Sequence, residues 1–546
     1  MTSTLYRNGV VHSPADPFAE AVLVEDGTVS WLGADDTAAG IAQRADEVVD
    51  LDGALVTPAF VDAHVHVLET ALAQEGLDLS VAGGVRSLAA ALDAVRRAVE
   101  ARPVAESDAP LLGFGWDEHD WPEGRRPTLE ELDAAAGGAP VYLARVDVHS
   151  ALVTSTLASR TGLEAVPGWH GDGWVTGNAH HVVRDAARTF SPARRTALYR
   201  RALGLAASRG IVAVHEMSAP FVDTRSGLAE LLATTADPAS GLPLVVGYRA
   251  EACVTVDDAH QLLAAVPGLT GIGGDLDVDG SLGSRTAALR APYEDAPDTD
   301  GVLHLSAEQV ANHVAAVTRA GVHAGFHVIG DRGMDELLLG LQAAAAVEGP
   351  AAIAAAGHRV EHAEMVDAMT LAALVLLGVR ISAQPAFDAA WGGPDRLYAA
   401  RLGVRRAVAL NPFADLAAAG IPLAFGSDSP VTPLDPWAGV RAAVQHTAVD
   451  QRISGRAAFR AATRGGWRLA GLDGTGAGEL RVGAPAHLAV WRSPALTVEP
   501  GQGRLSTWSP EAQAGTPLLP DLSADAEPPV CLRTVRAGVT LFDVLG

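Results

Sequence analysis

The sequence predicts an α/β fold, a (β/α)8 TIM barrel joined to a small β-sandwich built from both termini, and three observations predict it. From about Ala54 onward, short apolar runs alternate with long Ala-, Leu- and Arg-rich segments of helical spacing, as in Ser87 to Ala101, Ser306 to Ala320 and Met334 to Val347. Strands that alternate with helices imply a parallel sheet. Several of the apolar runs close on residues able to bind a metal, at the strand end where (β/α)8 enzymes build their sites. Both ends of the chain read instead as short antiparallel strands, with turns at Glu25-Asp26-Gly27 and Leu51-Asp52-Gly53 and again within GAGELRVGAPAHLAVW and CLRTVRAGVTLFDV.

The expected division is residues 1–56 for the N-terminal part of the sandwich, 57–470 for the barrel and 471–546 for its C-terminal part. A chain of 546 residues accommodates a barrel of about 250 to 400 residues and such a partner. The window 111–177 reads as an insertion, rich in Gly, Asp and His and holding Trp116, Trp121, Trp169 and Trp174. Loops this aromatic usually cover something, so the window is expected to form a lid or substrate wall.

Composition removes several classes of function. The formal charge of −25 repels a phosphate backbone, which excludes nucleic acid as a partner. No run of 18 apolar residues suggests a membrane span, and MTSTLYRNGVV has neither a basic nor an apolar leader segment, so a cytoplasmic location is expected. The partner expected is a small-molecule substrate; a homodimer is left open. Cys253 and Cys531 are the only cysteines, too few for a disulfide framework or a Cys-rich zinc module. Any metal must be held by His and carboxylates. All 40 basic residues are arginine; the chain contains no lysine.

Those ligands stand at strand ends. Phe60-Val61-Asp62-Ala63-His64-Val65-His66 closes one apolar run, and because side chains alternate along a strand, His64 and His66 point the same way and can share an ion. Three further runs end in a candidate ligand: GVHAGFH at His327, RVEH at His362 and LAFGSD at Asp428. One such histidine is ordinary in a core. Four, with a terminal aspartate in barrel order, define a metal constellation.

These residues resemble the amidohydrolase superfamily, with TPAFVDAHVH on the first strand, HVIGDR on the fifth, RVEHAE on the sixth and FGSDSP on the eighth. The segments VDGSLGSRTAAL and GWDEHDWPEGRRPTLEELDAA are similar to the branch that contains N-substituted formamide deformylases. The resemblance implies a metal-dependent hydrolase of C–N bonds in amides or formamides. It places His64, His66, His327, His362 and Asp428 on a divalent ion, zinc first, with Asp428 as proton acceptor and donor and His362 as a ligand or a donor to the substrate carbonyl. Trp116, His149 and Arg285 are the candidate substrate contacts, although Arg285 also reads as a structural ion pair. His215 and Glu216 end another strand-like run as candidate supports behind the ligands, while His180-His181 stand where relatives carry a glutamate.

In that branch a carboxylated lysine on the fourth strand bridges two ions. Here the matching position is Asp275, four residues before Asp279, and no lysine exists to replace it. An aspartate is several bonds shorter than a carboxylated lysine and reaches one ion, bridging two only if the strand moves inward, so one ion per chain is expected, with Asp275 a ligand or a hydrogen-bond partner of a ligand and a second ion left open. Deamination of a heterocycle is the alternative reaction, and a non-catalytic ligand-binding protein the alternative class.

Overall fold

Eight short segments in which almost every residue is buried form the barrel of the computed structural model, which describes residues 2–103, 108–188, 190–498 and 516–545. In chain order they are β1 (Phe60–Val65), β2 (Ile211–Ser218), β3 (Leu244–Arg249), β4 (Leu269–Ile272), β5 (His323–Val328), β6 (Arg359–His362), β7 (Arg380–Ala383) and β8 (Leu423–Phe425). Strands covered on both faces read as continuous rather than alternating apolar runs. Each pairs in parallel with the next, so the sheet runs β1 through β8 in chain order. The seam between β8 and β1 closes just past the strands: the Asp428 N–H donates to the His64 carbonyl at 2.8 Å and the His66 N–H to the Ser429 carbonyl at 3.0 Å. The two hydrogen bonds that complete the barrel therefore also fix three candidate ligands relative to one another.

The helical segments form where spacing and capping agree. Leu88–Ala101 starts after Ser87, whose hydroxyl accepts the Ala90 N–H, and Ala307–Arg319 starts at a reciprocal box between Ser306 and Gln309. Asp331–Glu348 begins three residues before Met334, because the acidic Asp331 in the first turn suits the helix N-terminus.

Strands from both termini share a five-stranded sheet: Val10–Val11, Leu55–Pro58, Leu488–Arg492, Val530–Arg536 and Val539–Asp543. A four-stranded sheet of Ser3–Arg7, Ala21–Glu25, Thr28–Gly33 and Glu47–Asp50 accompanies it. Pairing in this region is mixed rather than wholly antiparallel. Ser3–Arg7 runs parallel to Glu47–Asp50, because the helix Asp35–Ile41 intervenes and returns the chain in the same direction.

The Trp-rich window belongs to a separate five-stranded sheet running from Leu77–Asp78 to Trp174–Thr176, where Trp116, Trp121 and Trp174 face that sheet's own core and Trp169 packs against the main core. The part of the window that walls one cavity at the barrel's strand ends is Arg145, Asp147 and His149, not its tryptophans. Trp116 is 1% exposed, donates its indole N–H to the Leu143 carbonyl and stacks on Trp121. Among the described residues no single helix is long and apolar enough to cross a membrane.

Candidate metal centre

The C-terminal ends of β1, β5, β6 and β8 converge on one cluster. His64 and His66 are both anchored through Nδ1, His64 to the Glu361 carboxylate at 2.8 Å and His66 to the Met217 carbonyl at 2.9 Å. A carboxylate and a carbonyl only accept, so both rings carry a proton on Nδ1 and turn Nε2 inward. Each Nε2 meets Asp428 Oδ1, at 3.4 Å from His64 and 3.3 Å from His66. Glu361 is itself held by Arg359, whose other nitrogens reach His215 Nδ1 and the Ala63 carbonyl. This buried chain fixes the His64 ring from behind, as a partner behind a metal ligand does.

His362 donates from Nδ1 to Gln384 Oε1 at 2.9 Å and also aims Nε2 at the cluster. His327 is turned the other way: its Nε2 lies 3.2 Å from the Gly280 carbonyl, which leaves Nδ1 facing inward. Both His362 (φ 68) and Asp428 (φ 55) occupy the left-handed region. Non-glycine residues are held there at a cost of about 1–3 kcal/mol, and the two positions turn these side chains into the barrel mouth.

Asp275 completes the cluster from an unexpected place. It does not lie on β4, which ends at Ile272; it follows Gly273 (φ 114) and Gly274 (φ 79). A Cβ on Gly273 would meet the Gly325 carbonyl oxygen at 2.1 Å, and one on Gly274 would meet Met217 Sδ at 2.7 Å. Only glycine allows the backbone this close to β5 and β2, and the turn carries Asp275 into the barrel mouth. Its Oδ2 lies 3.3 Å from His66 Nε2 and 3.8 Å from His64 Nε2, and its Oδ1 lies 3.2 Å from His327 Nδ1 and 3.5 Å from His362 Nε2. The expectation that Asp275 sits on the fourth strand is thus corrected: it lies three residues past the strand's end.

The donors fit a divalent metal. His64 Nε2, His362 Nε2 and Asp428 Oδ1 are buried and have no hydrogen-bond partner. Buried polar groups are ordinarily satisfied, so three orphans converging on one point mark a place for a cation. Burial pulls His64 and His327 toward lower pKa, but Asp428 and Asp275 beside His64, and Asp275 beside His327, push both up to about 10. Burial raises Asp275 and Asp428, yet the neighbouring histidines hold both below the usual carboxylate range. Without an ion, protons held on the histidines balance the ionised carboxylates; a divalent ion would balance them instead and leave the histidine nitrogens free to bind it.

Of the substrate candidates, His149 lies at the cluster, its ring 5.0 Å from that of His327, and it lines the cavities on both sides. Burial, then His327, hold it below its ordinary pKa, so it is neutral at pH 7. Trp116 lines neither cavity, for the reason given above. Arg285 likewise lies away from both and pairs with Asp295 at 2.7 Å. His215 supports Arg359, and Glu216 accepts the Val67 N–H at 2.7 Å behind His66. His181 stacks on Phe221 in the more polar cavity, while the His180 Nε2 meets the Tyr142 hydroxyl at 2.7 Å. The apolar wall beside the cluster comes from Leu282, Phe387, Trp391, Tyr398 and Val431, joined by the polar Arg145, Asp147 and Glu364. Sequence spacing offered no signal for these residues, which come from distant parts of the chain: Phe387 and Trp391 from the helix Pro385–Trp391, Tyr398 from Leu397–Leu402 and Arg145 from the strand Val141–Arg145.

A closed parallel barrel with histidines and carboxylates gathered at its C-terminal strand ends defines a hydrolase barrel of the metal-binding type. The chain matches the model of the amidohydrolase family over residues 47–542 and belongs to that family; it is a hydrolytic enzyme that acts on carbon–nitrogen bonds. It is 26% identical over 470 residues to the protein LONG AFTER FAR-RED 3 of Arabidopsis thaliana, covering 81% of this chain and 77% of that one. An uncharacterized metal-dependent hydrolase from Pyrococcus furiosus superposes with a TM-score of 0.68 at 28% identity, covering 89% of this chain and 98% of its own. The N-substituted formamide deformylase of Arthrobacter pascens is 29% identical over 147 residues, 27% of this chain and 26% of that enzyme.

Proposed function

We propose that the protein hydrolyses the C–N bond of an amide, with N-substituted formamides the first class to test, using a divalent ion held by His64, His66, His327, His362, Asp428 and Asp275. The observation that carries this reading is the convergence of buried, unpartnered His64 Nε2, His362 Nε2 and Asp428 Oδ1 at the barrel mouth. A bound divalent ion polarises the carbonyl and lowers the pKa of water from about 15.7 to about 7. Zinc is the ion of choice for this donor set, and Mn, Fe or Ni share its ligand preferences.

The chain's own groups supply the remaining steps. Asp428, held ionised by His64 and His66, takes a proton from the attacking water as the C–O bond forms. It returns that proton to the amide nitrogen as the C–N bond breaks, releasing a carboxylic acid and an amine. Neutral His149 offers the substrate one N–H donor, and the wall of Phe387, Trp391 and Tyr398 receives a flat apolar substituent.

The test is a hydrolysis screen of N-formyl, N-acetyl and cyclic amides with the metal-loaded protein. Apolar or aromatic N-substituents are expected to be turned over best, with acid and amine released in equal amounts. Ammonia released from a ring would identify a deaminase instead. Preference for small charged amides would contradict the apolar wall.

A further inference from the structure

The metal cluster lies between two cavities. His327, His362 and Asp428 face the apolar wall described above, whereas His66 and Asp275 open onto a larger and more polar cavity of about 600 Å³; His149 lines both. One helix supplies much of the polar wall. Asn178, His181 and Arg184 stand at three-residue intervals along Gly177–Ala186, so each is a neighbour of the next, and all three line the cavity.

Arg184 has no carboxylate of its own. It is 9% exposed, its Nε has no hydrogen-bond partner among the described residues, and its nearest carboxylate oxygen, Glu69 Oε1, is 3.9 Å away, beyond hydrogen-bond reach. Glu69 is already engaged, since both its oxygens accept from Arg188, Oε2 at 2.6 Å. Asp275 belongs to the metal cluster, and Asp277, the remaining carboxylate of the wall, makes no ion pair with Arg184. A cation buried to this degree without a hydrogen-bonded partner is costly, and a partner from outside the chain removes that cost. Burial, then Arg184, lower the His181 pKa to about 4, so this ring is neutral at pH 7 and adds one N–H donor to the wall.

We infer that Arg184, with His181 and Asn178, binds a carboxylate on the acyl half of the substrate, so that the substrates are amides formed from a dicarboxylic acid and an apolar amine. The inference rests on the proposed amide hydrolysis and narrows its substrate class. That reading sets the N-substituent against the apolar wall, which leaves the acyl half for the polar cavity. A formyl group would leave nearly all of that cavity unfilled and would give Arg184 nothing to bind. A guanidinium matches a carboxylate through two parallel N–H···O bonds, and one cation beside a neutral imidazole and an amide suits a monoanion. Hydrolysis then consumes one water and releases the dicarboxylic acid and the amine, with no other reactant.

The competing arrangement makes Arg184 a second, more distant counter-charge for Glu69 and nothing more. It predicts no discrimination between charged and uncharged acyl groups.

The experiment compares kcat/KM for the N-benzyl monoamides of succinic and glutaric acid with that for N-benzylbutanamide and N-benzylpentanamide, in which a methyl group replaces the free carboxylate. The better of the two acids should exceed its uncharged counterpart by about 100-fold, because the neutral chain leaves the charged wall unpaired. In Arg184→Gln that ratio should collapse toward one, chiefly through a raised KM for the acid. Should that variant fail to fold, Asn178→Asp, at an exposed position of the same wall, introduces a like charge and should cut the ratio about tenfold. Calorimetry of succinate and glutarate binding, which needs no turnover, should show an affinity in the wild-type protein that Arg184→Gln loses. Arg184-dependent binding without hydrolysis of any amide would support the carboxylate site and overturn the amide reading. No preference for either acid, a ratio unchanged in Arg184→Gln and Asn178→Asp, or dicarboxylate binding that Arg184→Gln retains in full would overturn the carboxylate site.

Discussion

Asp428 carries three duties at one position: it turns an unpartnered Oδ1 into the cluster, closes the barrel seam through its N–H and is the proton carrier of the proposed reaction. Asp428→Asn retains the N–H and nearly the same shape but cannot take a proton. Its kcat should fall by about 10²–10⁴, the range of general acid–base contributions, with the far-ultraviolet circular dichroism unchanged. An Asn variant with near wild-type kcat would remove Asp428 from the proton path. At this scale much of the site was readable in advance. His64, His66, His327, His362 and Asp428 stand at strand ends, where residue type and spacing carry the information. Asp275 was identifiable as a position but not as a geometry, since its reach depends on the positive φ of Gly273 and Gly274. Trp116 misled because composition counts aromatic residues without saying which core they face. Arg285 and its partner Asp295 are ten residues apart on a loop, a pairing that no periodicity encodes.

Between β4, β5 and β6 the barrel wall contains histidines that the fold keeps neutral. His313, on Ala307–Arg319, accepts the Cys253 N–H through Nδ1 and faces the Ile272 carbonyl with Nε2. His358, just before β6, accepts the Ala324 N–H through Nδ1. A second proton would have to enter where a backbone donor already points. Burial lowers His313 to about 4, and burial, with His313 next, lowers His358 to about 3. In the unfolded chain both titrate near 6.5, so below that pH the unfolded state binds more protons and stability falls with falling pH until roughly 3–4. At pH 5 the loss is about 2 kcal/mol for each ring relative to pH 8. Denaturant unfolding of His313→Asn and wild-type protein at the two pH values checks this: the variant should lose part of the pH dependence. Identical slopes for both would contradict it. The helices themselves were well placed by spacing, with ends set by Ser87 and Ser306. The parallel pairing of Ser3–Arg7 with Glu47–Asp50 was not, because strand direction depends on the helix between them rather than on alternation.

Across the whole molecule the ligand set is drawn from widely separated parts of the chain, from His64 to Asp428, and the barrel closes at the point where they meet. The terminal strands brace the opposite, N-terminal end of β1. Trp491, on Leu488–Arg492, packs edge-on against Phe60 at the start of β1 and donates its indole N–H to Thr57 at 2.9 Å. That both termini would contribute strands beside a barrel followed from their turns and alternation. That the Trp-rich segment would build a sheet with its own core did not, since a local window cannot reveal that the sheet begins as early as Leu77–Asp78. In the proposed reading, function depends on loading this centre with metal rather than on any one strand. The direct measurement is turnover of an N-formyl amine by protein stripped with a chelator and then titrated with Zn²⁺. Hydrolysis should vanish on stripping and return in step with bound Zn²⁺, whereas His66→Ala should neither hold the ion tightly nor recover. Undiminished hydrolysis by the stripped protein, or full activity in His66→Ala, would contradict a metal-dependent hydrolase centred on this cluster.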